Sequence, residues 1–276
     1  MATYVMSDIH GYLNRVSDLL RQASFDDGDE LFVLGDVIDR GPQSAEAIIW
    51  AIEEAPRNIH FLMGNHEDMM LSVLRRDINA FTIEEKQAWE WNDAWSWNGG
   101  RETMQALYDL TTPQWRYDVL IPWLTRLPFY FDVTLGENRY MMVHAGLSIG
   151  GHMSDDDAYF NGIYKQINIP DYGEVFSQTL LWMRERWIYG IENLPYNVIF
   201  GHTPTKYWYD NIIDIAKMDS HYDNVKIKGD NNRIITLTMP NNTKKICIDT
   251  GRNCLGMLRL DDMQEFYSEV NCGELE

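Results

Sequence analysis

The feature that most restricts this chain is a repeated strand ending. Three short apolar runs near its start each stop at a polar turn that carries glycine: Tyr4–Met6 runs into Ser7-Asp8-Ile9-His10-Gly11, Glu30–Leu34 into Gly35-Asp36-Val37-Ile38-Asp39-Arg40-Gly41, and Ile59–Met63 into Gly64-Asn65-His66-Glu67. Between them, Tyr12–Ser24 and Gln43–Glu54 place Leu13, Val16, Leu19, Leu20 and then Ile48, Ile49, Ile52 at helical spacing, and His66–Arg76 reads as a further helix. This β-α-β-α-β-α opening predicts an α/β fold. In open α/β sheets the carboxyl edge of the strands is where ligands bind, and glycines there let the backbone turn sharply enough to aim several side chains into one crevice.

The pattern returns later in the chain. Expected strands at Arg139–Val143, Asn197–Phe200 and Lys245–Ile248 run into His144-Ala145-Gly146, Gly201-His202-Thr203 and Asp249-Thr250-Gly251. Further strands at Phe129–Thr134, Arg233–Thr238, Leu255–Leu260 and Gln264–Val270 imply a second sheet, with one helix at Gln178–Trp187. A helical insertion is expected at about 83–126, where the spacing of Trp89, Trp91, Trp95 and Trp97 favours core packing over a peptide-binding surface. Residues 203–244 read as a loop and strand insertion, and Gly151–Val175 as loops over the site. No linker divides the chain, so 1–276 is expected to form a single catalytic domain.

Forty-two acidic residues against 23 basic ones give a formal charge of −19, which repels the phosphate backbone of nucleic acids. No apolar run approaches membrane-spanning length and the start lacks a leader pattern, so neither a nucleic acid nor a membrane is expected as a partner, and the expected location is the cytoplasm. The three cysteines, Cys247, Cys254 and Cys272, form no Cys-x-x-Cys pair. The strand ends instead offer carboxylate, imidazole and amide oxygen, a set that suits manganese, iron or zinc. Two such cations about 3.5–4 Å apart can support in-line displacement at phosphorus. The remaining histidines need no catalytic explanation: His60 lies in an apolar strand, and His152 and His221 lie in polar loops. The acidic run Ser154–Asp157 reads as an exposed loop.

Taken together and in order, Asp-x-His-Gly, Gly-Asp-x-x-Asp-Arg-Gly, Gly-Asn-His-Glu, His-Ala-Gly and Gly-His-Thr resemble the calcineurin-like metallophosphoesterases, and within them the serine/threonine-type protein phosphatases of the small bacterial and phage lambda branch. The resemblance extends to Leu181-Trp182-Met183-Arg184-Glu185-Arg186 and Ile248-Asp249-Thr250-Gly251. It implies two mixed β-sheets packed as a sandwich between helices, with two divalent cations, manganese first and iron or zinc as alternatives. Asp8, His10 and Asp36 would hold one metal, and Asp36, Asn65, His144 and His202 the other, with Asp36 as the bridge. His66 would protonate the leaving oxygen while Asp39 orients it and raises its imidazole pKa; Arg40 and Arg184 would bind the phosphoryl group, Arg186 being the weaker candidate. The implied reaction is attack of a metal-bridging hydroxide on a phosphomonoester, either a small one or a phosphoserine, phosphothreonine or phosphotyrosine in a protein. The alternative is symmetrical cleavage of dinucleoside polyphosphates, whose enzymes resemble Gly-Asp-x-x-Ala-Arg-Gly and Gly-Asn-His-Asp; Asp39 and Glu67 favour the phosphatase branch. An inactive binding scaffold is the remote third reading.

Overall fold

The computed structural model describes residues 1–76, 94–147, 165–191, 193–252 and 254–268. Its first sheet has the order β13-β12-β1-β2-β3, formed by Gln264–Tyr267, Gly256–Arg259, Thr3–Met6, Glu30–Val33 and Ile59–Phe61. The second has the order β4-β5-β8-β11-β10-β9, formed by Tyr130–Leu135, Asn138–Val143, Asn197–Phe200, Lys244–Cys247, Ile235–Thr238 and Lys226–Lys228. Both sheets are mixed. In the first, β1, β2 and β3 run parallel, β12 is antiparallel to β1, and β13 is antiparallel to β12. In the second, β5, β8 and β11 run parallel, with antiparallel neighbours on either side.

The two-residue period of a strand explains how these sheets stack. Val5 of β1, Leu258 of β12, Met142 of β5, Ile199 of β8 and Ile246 of β11 share one buried cluster, which is the seam between the sheets. Their chain neighbours point the other way. Tyr4, Met6 and Met257 join the core beneath helices Leu13–Ala23 and Ser44–Ile49, while Met141, Val198, Phe200 and Cys247 join the core on the far side of the second sheet. Strands buried on both faces read as unbroken apolar runs. The result is the expected α-β-β-α layering.

Three departures bear on the site. The helix expected at Gln178–Trp187 is two pieces, Ser177–Trp182 and Glu185–Ile188, because Arg184 leaves helical geometry at φ −121 and ψ −105. Residues 166–169 and 173–176, expected as loop, pair as the hairpin β6–β7. Within 203–244 the chain forms helix Tyr209–Met218 and then β9 and β10, which widen the second sheet. Of the expected helical insertion, 94–126 is helical, with segments such as Arg101–Leu110 and Ile121–Arg126; Trp89, Trp91, His152 and the Ser154–Asp157 run lie outside the described residues. Among the described residues no helix is long and apolar enough to cross a membrane.

Candidate functional site

The six parallel strands, three from each sheet, deliver their carboxyl-terminal turns to one place. Backbone hydrogen bonds tie these turns together: His10 N donates to Asp36 O at 2.8 Å, Asp8 N to Gly35 O at 3.2 Å, Gly201 N to His144 O at 2.7 Å and Thr205 N to Asp249 O at 2.9 Å. Contacts also cross between the sheets, where His144 Nδ1 donates to Leu34 O at 2.7 Å and His202 N to Asp8 Oδ2 at 2.9 Å. Gly64 is required at its turn, since a Cβ there would run into the backbone nitrogen of Asp36 and the carboxylates of Asp36 and Glu67. Asp8, His10, Asp36, Asp39, Arg40 and His202 all adopt positive φ, between 46° and 72°. Non-glycine residues rarely do so, and such positions gather at functional sites.

The expected metal ligands converge. His10, Asp36 and His66 present ligand atoms within 4.8 Å of one another, and so do Asp36, His144 and His202, so Asp36 belongs to both groups. Asn65 Oδ1 lies 2.8 Å from His144 Nε2 and 3.0 Å from His202 Nδ1, and Asp8 Oδ1 lies 4.0 Å from His10 Nε2.

Where the protons of these imidazoles sit decides whether the residues fit cations. His10 Nδ1 donates to Ile38 O at 2.9 Å, so its Nε2 lone pair, which accepts from Arg40 Nη1 at 2.8 Å, also faces Asp36 Oδ2 at 3.7 Å. Likewise, with Nδ1 of His144 committed to Leu34 O, its Nε2 lone pair faces Asn65 Oδ1 and, at 3.5 Å, Asp36 Oδ1. Around His144 these lone pairs face one another without a proton between them and repel, a conflict that a cation resolves; at His10 the Arg40 guanidinium holds the lone pair that a cation would take. Burial holds His10, His144 and His202 below the usual imidazole range, in the neutral form a metal ligand needs. Burial and the neighbouring Asp8 and Glu67 carboxylates push Asp36 well up. At an effective dielectric of about 20, two carboxylates 4–8 Å apart repel by about 2–4 kcal/mol, so the cluster is stable as an ionised set only with positive charge among it. The donor set therefore fits two divalent cations.

His66 differs from the other imidazoles. Its Nδ1 lies 2.6 Å from Asp39 Oδ2, and its Nε2 is buried without a hydrogen-bond partner, 3.8 Å from Asp36 Oδ2. The expected rise in its pKa is not what the surroundings produce: burial first, then the charges of Arg40, His144, Arg252 and Arg184, hold it well below the usual value. Burial instead lifts Asp39 to about 7, against donors from Thr103 and Trp95 that lower it. Thr103 Oγ1 donates to Asp39 Oδ1 at 2.5 Å and Trp95 Nε1 to Oδ2 at 2.7 Å. Trp95 is thus both the core residue its spacing suggested, at 2% exposure, and a donor to the site. Trp97 is 73% exposed and is no part of that core. Trp95→Phe should keep the packing but release Asp39 to a higher pKa. An Asp39–His66 pair that carries its extra proton can give one from Nε2 and loses it as pH rises, so the alkaline limb of the pH–rate profile should move to higher pH; an unmoved limb in the variant would sever Trp95 from the site.

Glu67 is missed by motif reasoning that treats it only as a branch marker. Its buried carboxylate accepts from Asp36 N at 2.8 Å, Gly64 N at 3.0 Å and Val37 N at 2.9 Å, clamping the β2 turn to the β3 turn. Arg40 and Arg184 are exposed and line a pocket of about 460 Å³ together with Asp8, His10 and His202. Arg40 Nη1 donates to His10 Nε2 at 2.8 Å, while Arg184 Nη1 approaches Thr203 Oγ1 at 3.4 Å. The break in the helix after Trp182 is what turns Arg184 into this pocket. Arg186 is not among its lining residues. His60, half-buried, pairs with Glu30 at 2.5 Å away from the site, and His221 pairs with Asp219 in the open.

Residues 1–233 match the family of calcineurin-like phosphoesterases. A symmetrical bis(5′-nucleosyl)-tetraphosphatase of Pasteurella multocida is 23% identical over 96% of this chain and 96% of its own length. One of Actinobacillus succinogenes is 26% identical over 72% of this chain, which spans 64% of that relative. A solved structure assigned provisionally as a diadenosine tetraphosphatase superposes with a TM-score of 0.50 at 16% identity, covering 96% of this chain and 91% of the other.

Proposed function

The chain belongs to the calcineurin-like phosphoesterase family, and from that premise we propose that it is a metal-dependent hydrolase of dinucleoside polyphosphates. One observation carries this choice of substrate: the relatives, including one matched nearly end to end, are named symmetrical bis(5′-nucleosyl)-tetraphosphatases. It supports that substrate better than the protein-phosphatase branch suggested by the sequence. Phosphomonoesters are the second reading, favoured by the Asp39–His66 pair, whose 2.6 Å contact equips the site to protonate a basic leaving oxygen.

When bound, a pair of divalent cations supplies charge neutralisation at phosphorus and activates water. The chain's own groups do the rest. Arg40 and Arg184 each offer a planar pair of N–H donors, which suits phosphoryl oxygens. Asp39 fixes the His66 ring through Nδ1; when the pair holds its extra proton, that proton can sit on the imidazole, with Nδ1–H facing Asp39 and Nε2–H free to protonate the departing oxygen. A phosphoanhydride releases a weakly basic phosphate, so that proton matters less for a dinucleotide than for an alkyl phosphate.

Metal-stripped protein reloaded with manganese should cleave diadenosine tetraphosphate with a kcat/KM at least about tenfold above that for p-nitrophenyl phosphate, a preference of about 1.4 kcal/mol. The reverse order would favour the phosphomonoesterase. Turnover of neither, with either metal-loaded or untreated protein, would favour an inactive scaffold.

A further inference from the structure

In the proposed mechanism Arg40 and Arg184 together bind the single transferred phosphoryl group. The same pocket holds two more cations, Lys206 and Arg252, both exposed. They come from different turns. Lys206 follows the β8 turn in the short helical segment Thr205–Tyr207, and its ammonium lies 4.7 Å above the ring of Tyr207, a cation–π contact that restrains a flexible side chain. Arg252 follows Asp249-Thr250-Gly251 after β11, where Gly251 takes φ 83 and the Arg252 carbonyl accepts from the Arg15 guanidinium. Thr205 N donating to Asp249 O joins the two turns.

Four cations against the two carboxylates of Asp8 and Asp249 give this pocket an excess of positive charge in a chain of charge −19. Low-dielectric walls focus such a potential and favour polyanions over singly charged groups. We propose that Lys206 and Arg252 form a second anion subsite, which holds the phosphate adjoining the scissile one and directs the enzyme to substrates with at least two linked phosphoryl groups. The subsite deepens the dinucleoside polyphosphate assignment and rests on it for its physiological meaning.

Competition against p-nitrophenyl phosphate with manganese-loaded enzyme tests it, using adenosine 5′-monophosphate and 5′-diphosphate as inhibitors. The diphosphate should bind at least about tenfold more tightly, a difference of about 1.4 kcal/mol. In the double variant Lys206→Ala, Arg252→Ala that ratio should fall towards one, and the kcat/KM for diadenosine tetraphosphate relative to p-nitrophenyl phosphate should fall about tenfold. A wild-type enzyme that does not distinguish the two inhibitors, or a double variant that keeps the ratio, overturns the subsite. If the ratio behaves as expected but the dinucleotide is not cleaved, the subsite stands and the substrate assignment fails.

Discussion

His66→Asn should lower kcat on phenyl phosphate by about 10²–10⁴, the range for loss of a positioned general acid, while leaving metal content near that of the wild type. The asparagine can keep a hydrogen bond to Asp39 but has no proton to give at the position of Nε2, the buried atom that lacks a partner. The size of the loss should depend on the leaving group. It should be largest for phenyl phosphate, whose phenolate is basic, and smaller for p-nitrophenyl phosphate and diadenosine tetraphosphate. Equal losses on all three would mean that His66 is not the acid. Loss of metal, measured by atomic emission on the purified variant, would place His66 among the ligands, with Asp36 and His10, the group it joins within 4.8 Å.

Asp36→Asn should be more damaging, because Asp36 is the residue common to both ligand groups. Its two oxygens face different partners: Oδ1 lies 3.5 Å from His144 Nε2, and Oδ2 lies 3.7 Å from His10 Nε2. An amide keeps one acceptor, removes the negative charge, and turns an NH₂ towards one of the two groups. At least one metal equivalent should be lost, with activity falling below that of His66→Asn. The same change should make the metal-free protein no less stable, since it removes a carboxylate that burial and Asp8 disfavour as an anion. Thermal melting with and without manganese separates these effects: the metal-dependent rise in Tm should shrink while the metal-free Tm holds or increases. A variant that binds two equivalents of manganese would refute the bridging role.

Much of this site was legible because its residues sit where α/β architecture puts ligand groups. Each apolar run that ended in a polar, glycine-bearing turn became a parallel strand, and their ends bring His10, Asp36, His144 and His202 together, with Asn65 against both His144 and His202 and Asp8 4.0 Å from His10. What escaped was set by tertiary contacts. The break at Met183–Arg184 carries no glycine or proline, so helical periodicity ran through it. Helix Tyr209–Met218 does carry Ile212, Ile215 and Ala216 at helical spacing, a short signal that the loop-and-strand reading of 203–244 passed over. Trp95 shows why a core reading and a site reading need not compete: an indole can pack its rings and still send its N–H to Asp39. Lys206 and Arg252 belong to no motif, and only the closure of two loops around one pocket makes them neighbours of the arginines that do. Asp39 and Glu67 pointed to the phosphatase branch because they were weighed as motif letters; their contacts are those of an orienting group and a loop clamp, tasks that do not depend on the substrate.

The left-handed turns also bear on whether this edge is still a working one. His10, Arg40 and His202 hold φ values of 46°, 69° and 67° in a region that costs a side-chain-bearing residue about 1 kcal/mol. Glycine or asparagine would sit there more comfortably, and a domain of this kind has only about 5–15 kcal/mol of net stability in all. A protein that used this surface merely as a platform would gain by relaxing those turns. This chain instead spends its conformational strain on imidazole and guanidinium groups aimed at a single point, a composition that sheer persistence of the fold does not require.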